Sequence, residues 1–371
     1  MIIPFVRTLH QLSPPEHFNS GLITDNGRYR MLLAELENAG LGLYIAHLLK
    51  TSEVRLDLPE WFQDRLKQLQ LGGYMQNMLI RKETEALLRK LEDRGIPVIP
   101  MKGTVLAERY FGHFSARGTS DIDLLVQPEH LQAAISCVRE AGYNCPAADS
   151  PVHYHTEWMK DEPGLPEPLT VELHWSLVSD DSAQMDLNEA WAQTESLPGY
   201  RNARVWLPTY TFYALCLHGA SHQMDSSKYV IDLLHMLTQH RGQVDLQEVL
   251  RLARRDHTVG RVKAALSILY QLVPEMAELQ SLPIKPSIRY WNPSFIKHIG
   301  DAHESRFKLR RWLFNLYMLD SGRYRLLQLK QLVLPSKELA AYSVDDSDTR
   351  RSTAGLYLRL YRQRLRKLLG G

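Results

Sequence analysis

The chain is poor in cysteine: Cys137, Cys145 and Cys216 are all it has, an odd number with no Cys-x-x-Cys pair. That excludes a disulfide framework and a structural zinc knuckle. Long apolar runs are missing too; none approaches the roughly 18 residues needed to span a bilayer. The N-terminal Met1-Ile2-Ile3-Pro4-Phe5-Val6-Arg7 starts apolar but soon gives way to polar residues and prolines. It lacks a basic stretch ahead of a long apolar one, so it does not read as a signal peptide, and the cytoplasm is the expected location. Neither sign of charge dominates: 44 Lys+Arg against 42 Asp+Glu leave a formal +2. That balance argues against a dedicated nucleic-acid coat protein and leaves room for a local basic patch. There is no Walker A loop, no Gly-x-Gly-x-x-Gly, no serine-hydrolase elbow, no internal repeat and no low-complexity tract.

What remains is an ordinary globular composition, 44% hydrophobic and 23% charged, over 371 residues. Such a chain can bury a large core without staples, in two domains or in one core with helical additions. Residues 28–94 read as helical: Leu32, Leu33, Leu36, Leu43 and Leu48 recur near helical spacing over 30–50. Pro59-Glu60 can open a further helix anchored by Trp61 and Phe62, and a long one is predicted from Tyr74 to Arg94, stopped at Gly95. The pattern then changes. Residues 96–101 form a short apolar run that reads as a buried strand, Thr104 to Phe111 as a helix, and Asp121 to Val126 as a strand. Pro128 starts a helix running to Gly142, and 152–159 and 169–177 read as two more strands, joined by a turn-rich connection over 161–168. Helices follow near 208–221, 226–240, 245–256, 258–272, 294–319 and 322–333, then an exposed loop over 342–352 and a basic amphipathic helix over 356–369. The predicted plan is α+β: an N-terminal helical region (1–74), a small α/β core (75–205) and a C-terminal helical domain (206–371).

The chemistry concentrates in that core. Asp121 and Asp123 alternate along a strand, and a period of two puts both carboxylates on one face. Two such charges repel unless a cation lies between them, and a hard divalent ion such as Mg²⁺ prefers carboxylate and phosphate oxygens. Upstream, Met101-Lys102-Gly103-Thr104 sits between a strand and a helix. Its glycine lets backbone approach a phosphate, and the helix N-terminus offers free N–H groups to an anion. Downstream, Thr170-Val171-Glu172-Leu173-His174-Trp175 places Glu172 and His174 on one face. Glu172 is then a third carboxylate on a neighbouring strand, and three carboxylates can hold two metals. His174 by itself reads as a hydrogen-bonded histidine.

Taken together, Met101-Lys102-Gly103, Tyr110, Arg117, Ser120-Asp121-Ile122-Asp123-Leu124-Leu125-Val126 and Glu172-Leu173-His174-Trp175 resemble the uncharacterised nucleotidyltransferase family of the DNA polymerase β-like superfamily. Leu217-His218-Gly219-Ala220-Ser221-His222, Val230-Ile231-Asp232-Leu233 and Leu334-Pro335-Ser336 extend the resemblance over most of 75–369. It implies a palm-like mixed sheet and transfer of a nucleoside monophosphate from an NTP, ATP first, to an acceptor with release of pyrophosphate. It implies metal binding (Mg²⁺, or Mn²⁺) by Asp121, Asp123 and Glu172, with Glu172 also serving as general base. It implies phosphate contacts from Gly103, Thr104 and Ser120, and neutralisation of triphosphate charge by Lys102 and Arg117. The acceptor is a small molecule, a peptide, a protein or an RNA end; the balanced charge disfavours long RNA, so nucleic acid is not expected. Fold-level analogy adds natural-product tailoring as a role. Two departures bear on the phosphate grip: Lys-Gly-Thr stands where Gly-Gly or Gly-Ser is commoner, and sixteen residues separate Thr104 from Asp121.

Other features read as structural. His218 and His222 are spaced i, i+4 on a helix but lack the glutamate of a metalloprotease motif, so packing is preferred over zinc, with a third reading in which they and Tyr229 face a nucleotide cleft. Asp232 is expected to bond within the helical domain. The basic C-terminal helix, with Arg359, Arg362, Arg364, Arg366 and Lys367, reads as a solvated face rather than a membrane or RNA surface. Two rival functions stand beside the enzyme: a nucleotide-binding scaffold with a vestigial site, and a toxin-like enzyme that modifies tRNA or protein.

Overall fold

The computed structural model describes residues 1–14, 26–145, 154–162, 167–297, 305–335, 337, 340, 344 and 353–368. The loop predicted over 342–352, Ser336, the middle of the 161–168 connection and the middle of the helix predicted over 294–319 therefore fall mostly or wholly outside the described residues. Among the described residues the leading helices are α1 (Ile2–Leu9), α2 (Asn26–Asn38), α3 (Gly42–Thr51) and α4 (Glu60–Asp93). The core follows with β1 (Val98–Pro100), α5 (Gly103–Phe111), β2 (Asp121–Val126), α6 (Leu131–Glu140), β3 (His155–Lys160) and β4 (Leu169–His174). After α7 (Leu187–Ala192) and a small hairpin, β5 (Thr194–Ser196) with β6 (Arg204–Trp206), come α8 (Pro208–Ser221), α9 (Ser227–Gln239), α10 (Leu246–Arg255) and α11 (Val259–Leu272). The remainder comprises α12 (Met276–Leu279), α13 (Ser294–Lys297), α14 (Ser305–Tyr317), α15 (Gly322–Val333) and α16 (Thr353–Leu368). Among the described residues no helix is long and apolar enough to cross a membrane.

The small sheet has the order β1-β2-β4-β3, with β2 and β4 parallel and both outer pairings antiparallel. It is therefore mixed. Its two faces bury different cores, as the period of two requires. Ile122, Leu124 and Val126 of β2, with Val171 and Leu173 of β4, pack against Leu87, Leu88 and Leu91 of α4 and Val138 of α6. Leu125 of β2 and Ile99 of β1 join the other cluster, which also contains residues of α1 to α3 and of α8 to α11. The sheet thus lies between two helices on one side and a large helical body on the other. Asp121, Asp123, Glu172 and His174 alternate with the first set, so they face the helical body.

Two details depart from the sequence reading, each for a packing reason. The helix predicted from Tyr74 is the second half of a single helix, α4, which runs on from Glu60 through Gly72-Gly73. Gly73 serves close approach: a Cβ there would lie 2.8 Å from Leu43 Cγ of α3. Conversely, the helical stretch over 30–50 is broken at Gly40, whose φ of +63° suits glycine and ends α2.

Buried polar contacts fix the core to the helical body. Asp232 of α9 does not bond within its own region. It accepts from Arg117 Nε and Nη2 at 2.7 Å each, and both side chains are 4% exposed. At the end of α5, His235 Nε2 donates to Tyr110 O (2.8 Å), its Nδ1 accepts from Tyr44 Oη (3.1 Å), and its ring stacks on Phe111 with centroids 4.0 Å apart. The carbonyl partner requires the proton on Nε2.

Asp232→Ala should lower stability by roughly 3–5 kcal/mol, because it strands a buried guanidinium. Asp232→Ala combined with Arg117→Met should recover much of that loss in a urea melt. Burial holds His235 down to about 4 against an unperturbed value near 6.5. The unfolded chain therefore takes up a proton that the folded one refuses between those values. Stability attached to His235 is full above about pH 6.5 and falls as pH drops toward 4, by roughly 3 kcal/mol in all. Urea midpoints measured over that range should fall less steeply for His235→Gln than for the wild type.

Candidate active site

The parallel register of β2 and β4 builds the site. Asp123 stands opposite Glu172, and two residues on, His174 shares the face of Glu172. His174 Nε2 lies 2.9 Å from Glu172 Oε2 and 3.3 Å from Asp123 Oδ1. One ligand atom from each of Asp123, Glu172 and His174 falls within 4.8 Å of the others. From the other neighbour, Met101 N donates to Asp123 O at 3.0 Å, so the chain leaves β1 beside Asp123. Lys102 Nζ then sits 2.9 Å from Asp123 Oδ1 and 3.3 Å from His218 Nδ1 of α8.

Asp123 is 2% exposed. Neither of its carboxylate oxygens has a hydrogen bond of normal geometry among the described residues. Lys102 and His174 thus approach it as charges rather than along its lone pairs. Burial favours the neutral acid, yet the Lys102 ammonium and the His174 ring close beside it hold its carboxyl far below the ordinary range. Glu172 is lowered too, its burial outweighed by the His174 bond. His174 is raised, because Asp123 and Glu172 overcome the cost of burying its charge. Asp121 moves the other way, raised by burial and by the like charge of Asp123. Burial and the nearby Lys102 keep His218 well below its usual value. Two carboxylates and an imidazole, one carboxylate buried with unbonded oxygens, are a donor set that fits a divalent cation.

A cavity of about 240 Å³ opens between this face and α8. Lys102, Asp121, Glu172 and His174 line it from the sheet side, and His218, Ser221 and His222 from α8, with Tyr154 beside them. His218 and His222 therefore face the cavity, the third of the readings open to them, although packing was preferred. The sequence offered no polarity around this helix to say which face is which, since α8 is apolar on nearly every side.

The predicted residues divide. Asp123 and Glu172 converge, and His174 joins them. Asp121 lines the same cavity but stands outside the 4.8 Å grouping. Gly103 adopts a φ of +72° at the start of α5, where a Cβ would meet Asp121 O and Thr119 Oγ1 at 3.7 Å. Thr104 is buried and lines a separate hollow with Arg81 and Tyr200. Arg117 has its guanidinium engaged by Asp232, and Ser120 is exposed. Two residues escaped the sequence reading. Asn77 of α4 is buried and organises the loop ahead of β2, donating to Phe114 O (3.0 Å) and Arg117 O (2.8 Å) and accepting from Thr119 N (3.2 Å). Lys228 of α9, pushed down to about 8 by burial and by the Arg117 charge, interacts electrostatically with Asp121.

A family model described as an uncharacterised nucleotidyltransferase matches residues 28–274. The chain belongs to that family. Nothing among the curated proteins or the solved structures matches it. The matched span begins in α2 and ends just after α11, so it takes in the sheet, α8 and the buried Arg117–Asp232 pair. It stops short of Leu334-Pro335. Membership implies a nucleotide substrate and transfer of a nucleotidyl group, and the Asp123–Glu172–His174 cluster provides a place for a metal.

Added Mn²⁺ or Mg²⁺ should raise the melting temperature of the wild type, by about 2.7 kcal/mol of added stability at a hundredfold excess over Kd. Asp123→Asn and Glu172→Gln should abolish the shift, and His174→Ala should weaken it; equal shifts in all four proteins would dissolve the assignment.

Proposed function

We propose that the protein transfers a nucleoside monophosphate from an NTP, with ATP the first donor to test, to the hydroxyl of a small acceptor, releasing pyrophosphate. The observation that carries this reading is the buried Asp123 carboxylate, in ligand reach of Glu172 and His174 and with no aligned hydrogen bond among the described residues. A structural carboxylate in such a place would normally have its oxygens bonded. The proposed cation is Mg²⁺ or Mn²⁺, held by Asp123 and Glu172 with His174. The imidazole shifts preference toward Mn²⁺, because Mg²⁺ takes oxygen donors more strictly. When bound, such an ion supplies charge neutralisation for the phosphates and acidifies the attacking hydroxyl.

The chain's own groups account for the remainder. Lys102, between Asp123 and His218, puts an ammonium at the cavity wall where triphosphate charge must be neutralised. Asp121 lies beside it on the same wall and completes the acidic face. Glu172 Oε2 is engaged by His174, so Oε1 receives the proton of the acceptor hydroxyl. His222 lines the cavity just past the end of α8, its ring stacked on Tyr229 of α9 with centroids 5.3 Å apart, and offers a flat surface to a base. Thr104, Arg117 and Ser120 are not assigned phosphate contacts. Arg117 instead holds the loop that leads into β2.

The experiment is pyrophosphate release from each NTP in the presence of Mg²⁺ or Mn²⁺. Asp123→Asn and Glu172→Gln should each lower it by at least about a hundredfold, the scale of losing a principal charge-stabilising group. Lys102→Met should act mainly through KM for the nucleotide. Undiminished turnover in Asp123→Asn would remove that carboxylate from the site, and no pyrophosphate release from any NTP would leave the scaffold reading in its place.

A further inference from the structure

A second hollow, of about 220 Å³, adjoins the first, and Tyr154 and Ser221 line both. Its other wall includes Arg261 of α11 and Trp312 and Asn315 of α14. Arg261 is 9% exposed. Its side chain makes one long hydrogen bond, Nη1 donating to Ser182 O at 3.4 Å, and has no carboxylate partner among the described residues. The two acids that act on it electrostatically are occupied elsewhere. Asp320 accepts from Val259 N (2.8 Å) and Gly260 N (2.6 Å), and Asp181 from Ser179 Oγ and from Gln328 Nε2 (3.0 Å). Burial accordingly pushes the Arg261 guanidinium below its ordinary value, which is the reverse of Arg117, whose partner holds it up.

A guanidinium has five donors in a planar fork, and burying one without an anion is costly. The fold tolerates that cost at Arg261, on the wall of a hollow that opens beside the nucleotide cavity. We propose that this hollow is the acceptor subsite, and that it takes a small hydroxyl compound whose carboxylate or phosphate group pairs with Arg261 while its hydroxyl reaches past Tyr154 and Ser221 toward Glu172. The assignment rests on the nucleotidyl transfer proposed above. In the step itself, the acceptor oxygen bonds to the α-phosphorus of the NTP and its proton passes to Glu172. The bond from the α-phosphorus to the bridging oxygen breaks, and its electron pair leaves on pyrophosphate. Arg261 takes no part in those bonds; it holds the far end of the acceptor, which lowers the entropy cost of alignment.

The test uses the full chain and two probes that carry hydroxyls, glycerol 3-phosphate for the phosphate source and glycerate for the carboxylate source. Calorimetric titration of the wild type should give saturable millimolar binding of at least one of them, and the tighter probe identifies the anion. Arg261→Met should weaken that binding by at least about tenfold, the scale of a lost charged hydrogen-bond pair. Asn315→Asp, an isosteric change at an exposed position on the same wall, should weaken it by a smaller factor and carries the test where Arg261→Met does not melt cooperatively. The bound probe should raise pyrophosphate release by the wild type and fail to do so in Arg261→Met. Absence of saturable binding, binding indifferent to both variants, or binding without stimulation of an active enzyme would each overturn the assignment. Binding lost in Asp123→Asn but retained in Arg261→Met would overturn it as well, since the probe would then occupy the cation site. Failure of the underlying reaction has a separate signature: no pyrophosphate release from any NTP, with probe binding still governed by Arg261.

Discussion

A carboxylate sealed inside a sheet has to be balanced, and the need to balance Asp123 organises the site. In the interior an unpaired charge of this kind would take up a proton. Asp123 stays ionised because Lys102 and His174 stand 2.9 and 3.3 Å from Oδ1. Each of those neighbours is placed by a different piece of backbone. The hydrogen bond from Met101 N to Asp123 O brings in Lys102, and the parallel pairing of β2 with β4 brings in His174. Both neighbours also touch a second group, His218 in one case and Glu172 in the other. The arrangement thus balances the Asp123 charge from its own neighbours, yet leaves both carboxylate oxygens without an aligned hydrogen bond among the described residues. Such a cluster is poised rather than satisfied: a divalent ion bound there would find its ligand atoms already gathered, with no new set of groups to converge.

That placement depends on the helical body. The sheet's second face has too few apolar residues to bury itself, and it is completed by α1 to α3 and α8 to α11 in one cluster that includes Ile99 and Leu125. Arg117 with Asp232, and His235 with Tyr110, tie the two sides of the sheet-to-helix boundary. Since α8 supplies the far wall of the cavity, any slippage across this boundary would move His218 relative to Lys102. The buried polar contacts act where apolar packing, which is not directional, would leave the register of the two bodies loose.

The sequence is informative where the physics is local. Asp121 and Asp123, and Glu172 and His174, are read correctly as sharing a face because alternation along a strand needs only neighbouring residues. Helices α8 and α15 match their predicted limits because Pro208 and Ser321 mark their starts. Long-range partnership is what the sequence hides. Nothing near Arg117 indicates that Asp232, 115 positions later, engages its guanidinium. Nothing near Thr104 indicates that the first turn of α5 directs it to the hollow shared with Arg81 and Tyr200. Asn77 sits in an otherwise ordinary helical stretch, and its role in holding the loop before β2 appears only when the two segments meet. Gly72-Gly73 resembles a break, while the structure uses Gly73 for contact with Leu43.

Arg117 and Arg261 show how one residue type serves two ends according to its partner. Both are buried, and both sit next to the cavity's walls or supports. Arg117 meets a carboxylate in fork geometry, so its charge is spent on architecture and it has little left to offer a triphosphate. Among the described residues Arg261 has only a backbone carbonyl at 3.4 Å, and the two acids that act on it cap a helix or bond other side chains. Most of its desolvation is therefore in place before any ligand arrives. An anion that enters that hollow gains the attraction without repeating the desolvation of the guanidinium, which is the condition for a small, weakly hydrophobic acceptor to be held in a fixed orientation. Pairing ties Arg117 to the architecture, and the lack of a carboxylate partner among the described residues is what the role proposed for Arg261 rests on.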